Sequence, residues 1–331
     1  MRRAAPTALV AAALVLAACG GGADSAVERS GGPTSTTSTT TSTTTTSTTA
    51  APPTTAATTT TTTVPTAPPP AGDADELASR LLVAEQEVRD PATPAGELSH
   101  FAFEQQLLYR QLGRNPDWEP AVVAAMPEHL RAAVTANVAA RREFRSMHTK
   151  LSDALPPWRI VAPPPADELL AHYQEAEAAF GVPWEILAAV NLVETGMGRI
   201  RGTSVAGAQG PMQFMPATWA AFGGGGDIND PRDAILGAAR YLAHNGGGSG
   251  DIDNALWNYN HSHKYVRGVK HYASVMEADP QTFYGYHQWR VIYLSTIGDV
   301  WLPEGFEAYE RVPAHEHVAR NPNHHLGTAT T

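Results

Sequence analysis

The stretch "VETGMGRIRGTSVAGAQGPMQFMP", residues 193–216, contains a single acidic side chain, Glu194. The residues before it decide the fold. "FGVPWEILAAVNLVE", 180–194, has Gly181 as punctuation and Pro183 at a plausible first helical position. Ile186, Leu187, Ala188, Ala189, Val190, Leu192 and Val193 then make a helix that is apolar almost all round, and such a helix belongs inside a folded domain. Glu194 falls on the stripe of Leu187 and Asn191, and Gly196 can end the helix. Downstream, strand-like alternation is almost absent up to residue 277. The expected domain is therefore mainly α.

A carboxylate is poorly placed at the end of such a helix. Apolar neighbours disfavour its charge. The partial negative charge of a helix C-terminus does the same. Both raise its pKa, and a glutamic acid kept protonated near neutrality can donate a proton to a glycosidic oxygen. The bland alternative is a Glu that turns to solvent at a helix end. The loop that follows favours a site. Gly207, Ala208 and Gly210 leave room for a ligand to approach backbone amides. Gln213 supplies a donor and an acceptor, and Met215 an adaptable apolar contact for a sugar face. Pro216 opens a short helix through Trp219 that ends at Gly223.

"VET" followed by "SVAGAQGPMQFMP", 204–216, resembles the lytic transglycosylases of the SLT, goose-type-lysozyme-like superfamily. "NALWNYNHSHKYV", 254–266, resembles the later Ala-Tyr-Asn segment of the same domain. The resemblance covers roughly residues 170–277. It implies a lysozyme-like α-helical fold, with Glu194 as catalytic acid and base and Ser204 steadying the substrate's N-acetyl group or the reacting hydroxyl. It also implies Gln213 and Met215 in sugar subsites, Tyr259 with its hydroxyl near Glu194, and Asn260 beside it. The implied reaction cleaves the bond between N-acetylmuramic acid and N-acetylglucosamine and closes the muramoyl C6 hydroxyl onto C1, leaving a 1,6-anhydro sugar. A glycosidase normally needs two carboxylates; with no external water to activate, one suffices. Three positions depart from the pattern: Thr195 for Ser, Pro211 for Leu with one amide donor lost, and no glycine soon after Asn260.

The rest of the chain gives context. "MRRAAPTALVAAALVLAAC" has a charged start, an apolar run too short for a confident membrane span, and the chain's only cysteine, Cys19. "LAAC" resembles a bacterial lipobox. That implies a signal peptide over 1–18, lipid on Cys19, and an exported protein anchored at the outer face of the cell membrane and facing the wall; an ordinary signal peptide is the alternative. Residues 19–72 are dominated by Thr, Ser, Pro and Ala and are expected to be a disordered linker, with O-glycosylation compatible with the composition. Residues 73–155 read as a small helical accessory segment. Leu98, Phe101, Gln105, Leu108 and Leu112 keep helical spacing up to a stop at Gly113, and Leu130, Val134 and Val138 follow Pro127. "LPPWRIVAPPP", 155–165, marks a boundary. The catalytic domain spans 166–277, with Asp230 and Ser262 as caps. Residues 278–331 form a C-terminal extension and tail.

The net charge of −10 argues against a nucleic-acid partner. The expected partners are peptidoglycan strands and, through the lipid, a membrane. Thirteen histidines invite a metal, but none of the pairs has compact helical ligand spacing, so neither metal nor cofactor is expected. Asp227, Asp230 and Asp233 are the nearest candidates for a second carboxylate, and capping accounts for Asp230. Trp257, Trp289 and Trp301 suit packing better than sugar stacking. Two alternatives stay open: a hydrolytic muramidase, and a non-catalytic wall-binding lipoprotein that kept the groove.

Overall fold

The computed structural model describes residues 66–327. The signal peptide, Cys19 and the linker up to residue 65 lie outside the described residues. From Ala67 on, the described residues belong to one compact unit. Residues 69–72, which composition assigns to the linker, are pinned down: Gln111 makes two hydrogen bonds to the Ala71 backbone, and Arg80 donates to the Pro69 carbonyl.

Helices α1 (Ala74–Arg89), α2 (Ala95–Arg114), α3 (Glu119–Ala125) and α4 (Glu128–Met147) form the first part. Then come α5 (Ala166–Phe180), α6 (Trp184–Thr195), α7 (Pro216–Phe222), α8 (Pro231–His244), α9 (Ile252–Tyr259), α10 (His263–Ala278), α11 (Thr282–Gln288) and α12 (Ala314–Arg320). Three small antiparallel pairs complete it: β1 (Ala154–Leu155) with β6 (Val312–Pro313), β2 (Arg159–Ile160) with β3 (Ile200–Arg201), and the hairpin of β4 (Val291–Ser295) and β5 (Gly298–Leu302). Among the described residues, no helix is long and apolar enough to cross a membrane.

Local chemistry explains the helix starts. Asp73 accepts from the Glu76 amide at the head of α1, Asp230 from the Asp233 amide at the head of α8, and Ser262 from the Tyr265 amide at the head of α10. The helix expected to stop at Gly113 runs one residue further. The Arg141 stem from α4 lies over that glycine, its Cγ only 3.2 Å from where a Cβ would be, so the position needs a small residue rather than a break.

The core is continuous from α1 to α11. Leu130, Val134 and Val138 of α4 and Val269, Ala273 and Met276 of α10 are buried, as their spacing predicts. α10 packs along α4 on one face and against α6 on the other. Burying one such aliphatic side chain stabilises the fold by about 1.5–3 kcal/mol. The shared core therefore ties the helices before the proline-rich boundary firmly to those after it.

Candidate active site

α6 delivers Glu194 to the middle of the unit. Every residue from Ile186 to Thr195 is buried, because α5, α8, α10 and α11 pack around the helix. Gly196 caps it in the left-handed conformation, φ +61°, where a side chain would be strained. The Glu194 side chain is wholly buried. Its Oε1 accepts a 2.8 Å hydrogen bond from the Tyr265 hydroxyl. Its Oε2 is buried with no partner among the described residues. Burial pushes the carboxyl up to about 8, and the Tyr265 hydrogen bond pulls weakly the other way. Glu194 is thus protonated at neutral pH. With Oε1 engaged by Tyr265, the proton belongs on Oε2.

The glycine-rich stretch folds into a tight turn beside this group. Gln209 and Phe214 exchange backbone hydrogen bonds of 2.9 and 2.8 Å around residues 210–213. Gly210 is obligatory there, since a Cβ would lie 1.9 Å from the Ile228 carbonyl oxygen. Gln213 takes a left-handed φ of +50°, a conformation that costs a non-glycine residue of order 1–3 kcal/mol. Its amide and its Nε2 both donate to the Gly210 carbonyl, at 3.1 and 2.9 Å, which holds it in place. Gln213 is also buried.

The turn is fastened to α6. The Pro211 carbonyl accepts from Thr195 Oγ1 at 2.6 Å and from Asn191 Nδ2 at 2.8 Å. The Asn191 Oδ1 in turn accepts from the Tyr173 hydroxyl of α5 at 2.6 Å. Thr195, in the place of the usual Ser, therefore supplies the bond that fixes the turn next to Glu194. Pro211 acts through its carbonyl, so its missing amide costs this arrangement nothing.

The other expected residues fall as follows. Tyr259 is buried, but its hydroxyl donates to the Met212 carbonyl at 2.6 Å, not to Glu194. The tyrosine bonded to Glu194 is Tyr265, in the first turn of α10, with its ring parallel to that of Tyr259 at 6.5 Å between centroids. Burial holds the Tyr259 phenol well above its usual range, and the nearby Glu194 carboxyl pushes it further the same way. Ser204 Oγ accepts from the Ala208 amide at 2.9 Å and so closes the turn 204–208. Met215 is half-buried against the main core, and Asn260 is buried at the end of α9. Val205, which no motif singles out, stands 74% exposed at the tip of the turn. A cavity of about 560 Å³ is lined by residues that include Arg159, Arg201, Thr203, Gln209 and Gly210. Glu194 does not line that cavity.

The aspartates weighed as partners serve the turn before α8. Asp227 Oδ1 accepts from the Asn229 amide, Asp233 Oδ2 from the Asp227 amide, and Asp230 caps the helix. No second carboxylate contributes to the shift at Glu194. Trp289 and Trp301 are buried and Trp257 is half-buried. Among the described residues no cluster of His, Cys, Asp and Glu could hold a metal ion.

Comparison with known proteins places part of the chain in a family model. Residues 172–280 match the model of the family described as Transglycosylase SLT domain. The fold class is that of the resemblance: mainly α, with a lysozyme-like helical SLT domain. The chain is also similar to a membrane-bound lytic murein transglycosylase F of Thiobacillus denitrificans, 38% identical over 76 residues. That stretch is 23% of this chain and only 16% of the length of that relative. No solved structure matches.

Proposed function

We propose that the protein is a peptidoglycan lytic transglycosylase, cleaving the β-1,4 bond between N-acetylmuramic acid and N-acetylglucosamine with formation of 1,6-anhydromuramic acid. The observation that carries this reading is the lone, buried, protonated Glu194, whose Oε2 has no partner among the described residues, set against a strained turn of the SLT motif. The matched family and the name of the relative fit the same chemistry.

In this mechanism Glu194 gives its Oε2 proton to the glycosidic oxygen as the bond breaks. The resulting carboxylate is steadied by the Tyr265 hydroxyl on Oε1. It then takes the proton of the muramoyl C6 hydroxyl as that oxygen closes on C1, which restores the acid. Protons balance within one turnover, so neither water nor a second carboxylate is required. Because Oε2 is buried, a sugar reaches it only when part of its cover moves aside. Ser204, Gln213, Met215, Tyr259 and Asn260 are the residues we assign to the substrate groove. Gln213 and Met215 serve as sugar contacts, and Tyr259 holds the turn through Met212.

The "LAAC" stretch supports an exported, lipid-anchored protein with Cys19 as the acylated residue. A Cys19→Ala variant should leave the membrane fraction or fail to mature; a variant that matures and sediments like the parent would remove the anchor. The reaction is tested by mass spectrometry of products from purified sacculi. Transglycosylation gives ends lighter than hydrolysed ends by one water. Reducing muramic acid as the sole end would convert the reading to a muramidase, and binding without any product would leave a wall-binding protein.

A further inference from the structure

A second cavity, about 70 Å³, lies where α2, α4, α10 and β4 meet the end of α6. Its walls include Gln106, Arg110, Arg141, Tyr272, Trp289 and Arg290. Arg141 is the unexplained group. It is only 8% exposed, and its guanidinium has no hydrogen bond or ion pair among the described residues. A buried charge left unpaired is strongly destabilising.

The neighbouring charges do not resolve it. Asp299 is the buried carboxylate here, and it is already taken by Arg110, at 2.8 Å through Nε and through a second contact from Nη2, and by Arg114 at 2.8 Å. Two guanidinium groups thus already share this carboxylate, and Arg141 is left outside the pairing. Glu304 stands 3.7 Å from Arg290 and 3.9 Å from Arg199, and is 41% exposed. Arg290 Nε is buried without a partner. Tyr272 is neutral, since burial pushes its phenol up to about 12. His148 is neutral as well, because burial and then Arg141 hold it down to about 3. Three guanidinium groups, Arg110, Arg141 and Arg290, and no carboxylate thus line a cavity with room for a few heavy atoms, where a single water needs about 10–15 Å³.

We propose that this cavity is a binding site for a small oxyanion, a carboxylate or an inorganic phosphate or sulfate, received by the Arg141 fork. Guanidinium groups suit such planar and tetrahedral acceptors because their paired N–H groups bind two oxygens at once. The site also touches Leu192, Val193 and Gly196 of the α6 end. Occupancy would brace the segment that carries Glu194.

The test uses the full chain, its Arg141→Met and Arg141→Lys variants, and Arg290→Gln in case the Arg141 changes impair folding, which circular dichroism shows. Sodium phosphate and sodium acetate are titrated at matched ionic strength against sodium chloride, by calorimetry and by Tm. The parent should bind and gain stability in proportion to the logarithm of the ligand concentration above Kd. Arg141→Met should bind about 10-fold more weakly or worse, and in chloride alone should melt at or above the parent. Arg141→Lys should fall between, and Arg290→Gln should weaken binding less than Arg141→Met. A response to phosphate alone assigns the site to inorganic oxyanions; a response to acetate as well assigns it to carboxylates, such as those a wall peptide carries. A parent that responds no more to either salt than to chloride overturns the proposal. So does an Arg141→Met variant that keeps the full response.

Discussion

Replacing Glu194 by Gln separates two quantities that the fold couples, catalysis and pH-dependent stability. In the native protein the carboxyl titrates at about 8, against 4.5 for an unperturbed Glu. A raised carboxyl means that the folded state holds its proton after the unfolded state has lost it. Stability therefore falls as pH rises from about 4.5 and levels off above about 8. At 1.36 kcal/mol per pH unit the loss reaches about 5 kcal/mol, an upper figure because water entering the opened site would relieve some of it. Gln cannot titrate, so Glu194→Gln should lack this decline. The two proteins should melt together near pH 5, and by pH 9 the variant should be the more stable by several kcal/mol, of the order of 10 °C in Tm for a domain this size. The parent's activity should fall along the same upper limb, since the protonated acid is the competent form. The variant should lose activity by about 10,000-fold or more, because in the proposed reaction one residue carries both the acid and the base step. Calorimetric scans from pH 5 to 9 on both proteins check the stability, and sacculus turnover checks the rate. Parallel Tm curves would show that Glu194 is not held protonated and would refute the argument from burial. Near-parental turnover by the variant would refute its catalytic role.

Tyr265→Phe removes the one hydrogen bond that favours ionised Glu194, so the alkaline limb of the activity profile should move upward while kcat falls by about 10- to 100-fold; an unmoved limb would contradict the geometry. Thr195→Val deprives the Pro211 carbonyl and the Gly198 amide of a partner, and should cost about 1–3 kcal/mol in denaturant unfolding together with part of the activity. Asp299→Asn should be more damaging, about 3–5 kcal/mol by chemical denaturation, because it leaves buried Arg110 and half-buried Arg114 without their counter-charge.

What was legible in the sequence was what one helix and one loop determine by themselves. The α6 run is apolar on every side, so burial of Glu194 followed from it, and Gly196 and Gly210 mark positions where only glycine fits. Two kinds of feature were not legible. The β4–β5 hairpin escaped because every residue of both strands is buried; covered on both faces, "VIYLS" and "GDVWL" show no alternation to read. The Tyr265 hydrogen bond was not legible because the motif points to the residue before Asn260, while that bond depends on how α10 is set against α6. A signal was available: Tyr265 sits on the same helical stripe as Val269, Tyr272 and Met276, so its hydroxyl had to find a buried partner. The Arg110–Asp299 pair spans 189 residues of sequence and had no local trace.

The same placement of Tyr265 gives the helices before the proline-rich boundary a part in positioning Glu194. α10 carries Tyr265 toward Glu194 on one side and receives Phe144 of α4 on the other. The Phe144 ring meets Tyr265 edge-on at 6.3 Å and stacks on Tyr272 at 5.7 Å. It also fills the space over Gly268, where a Cβ would lie 2.6 Å from its Cζ. The 2.8 Å hydrogen bond from Tyr265 to Glu194 tolerates little drift, and the angle of Tyr265 is set by how closely α10 and α4 approach. The α4 helix thus acts as a backing plate for Glu194: through Phe144 it fixes the tyrosine that holds Oε1 and leaves Oε2 to carry the proton.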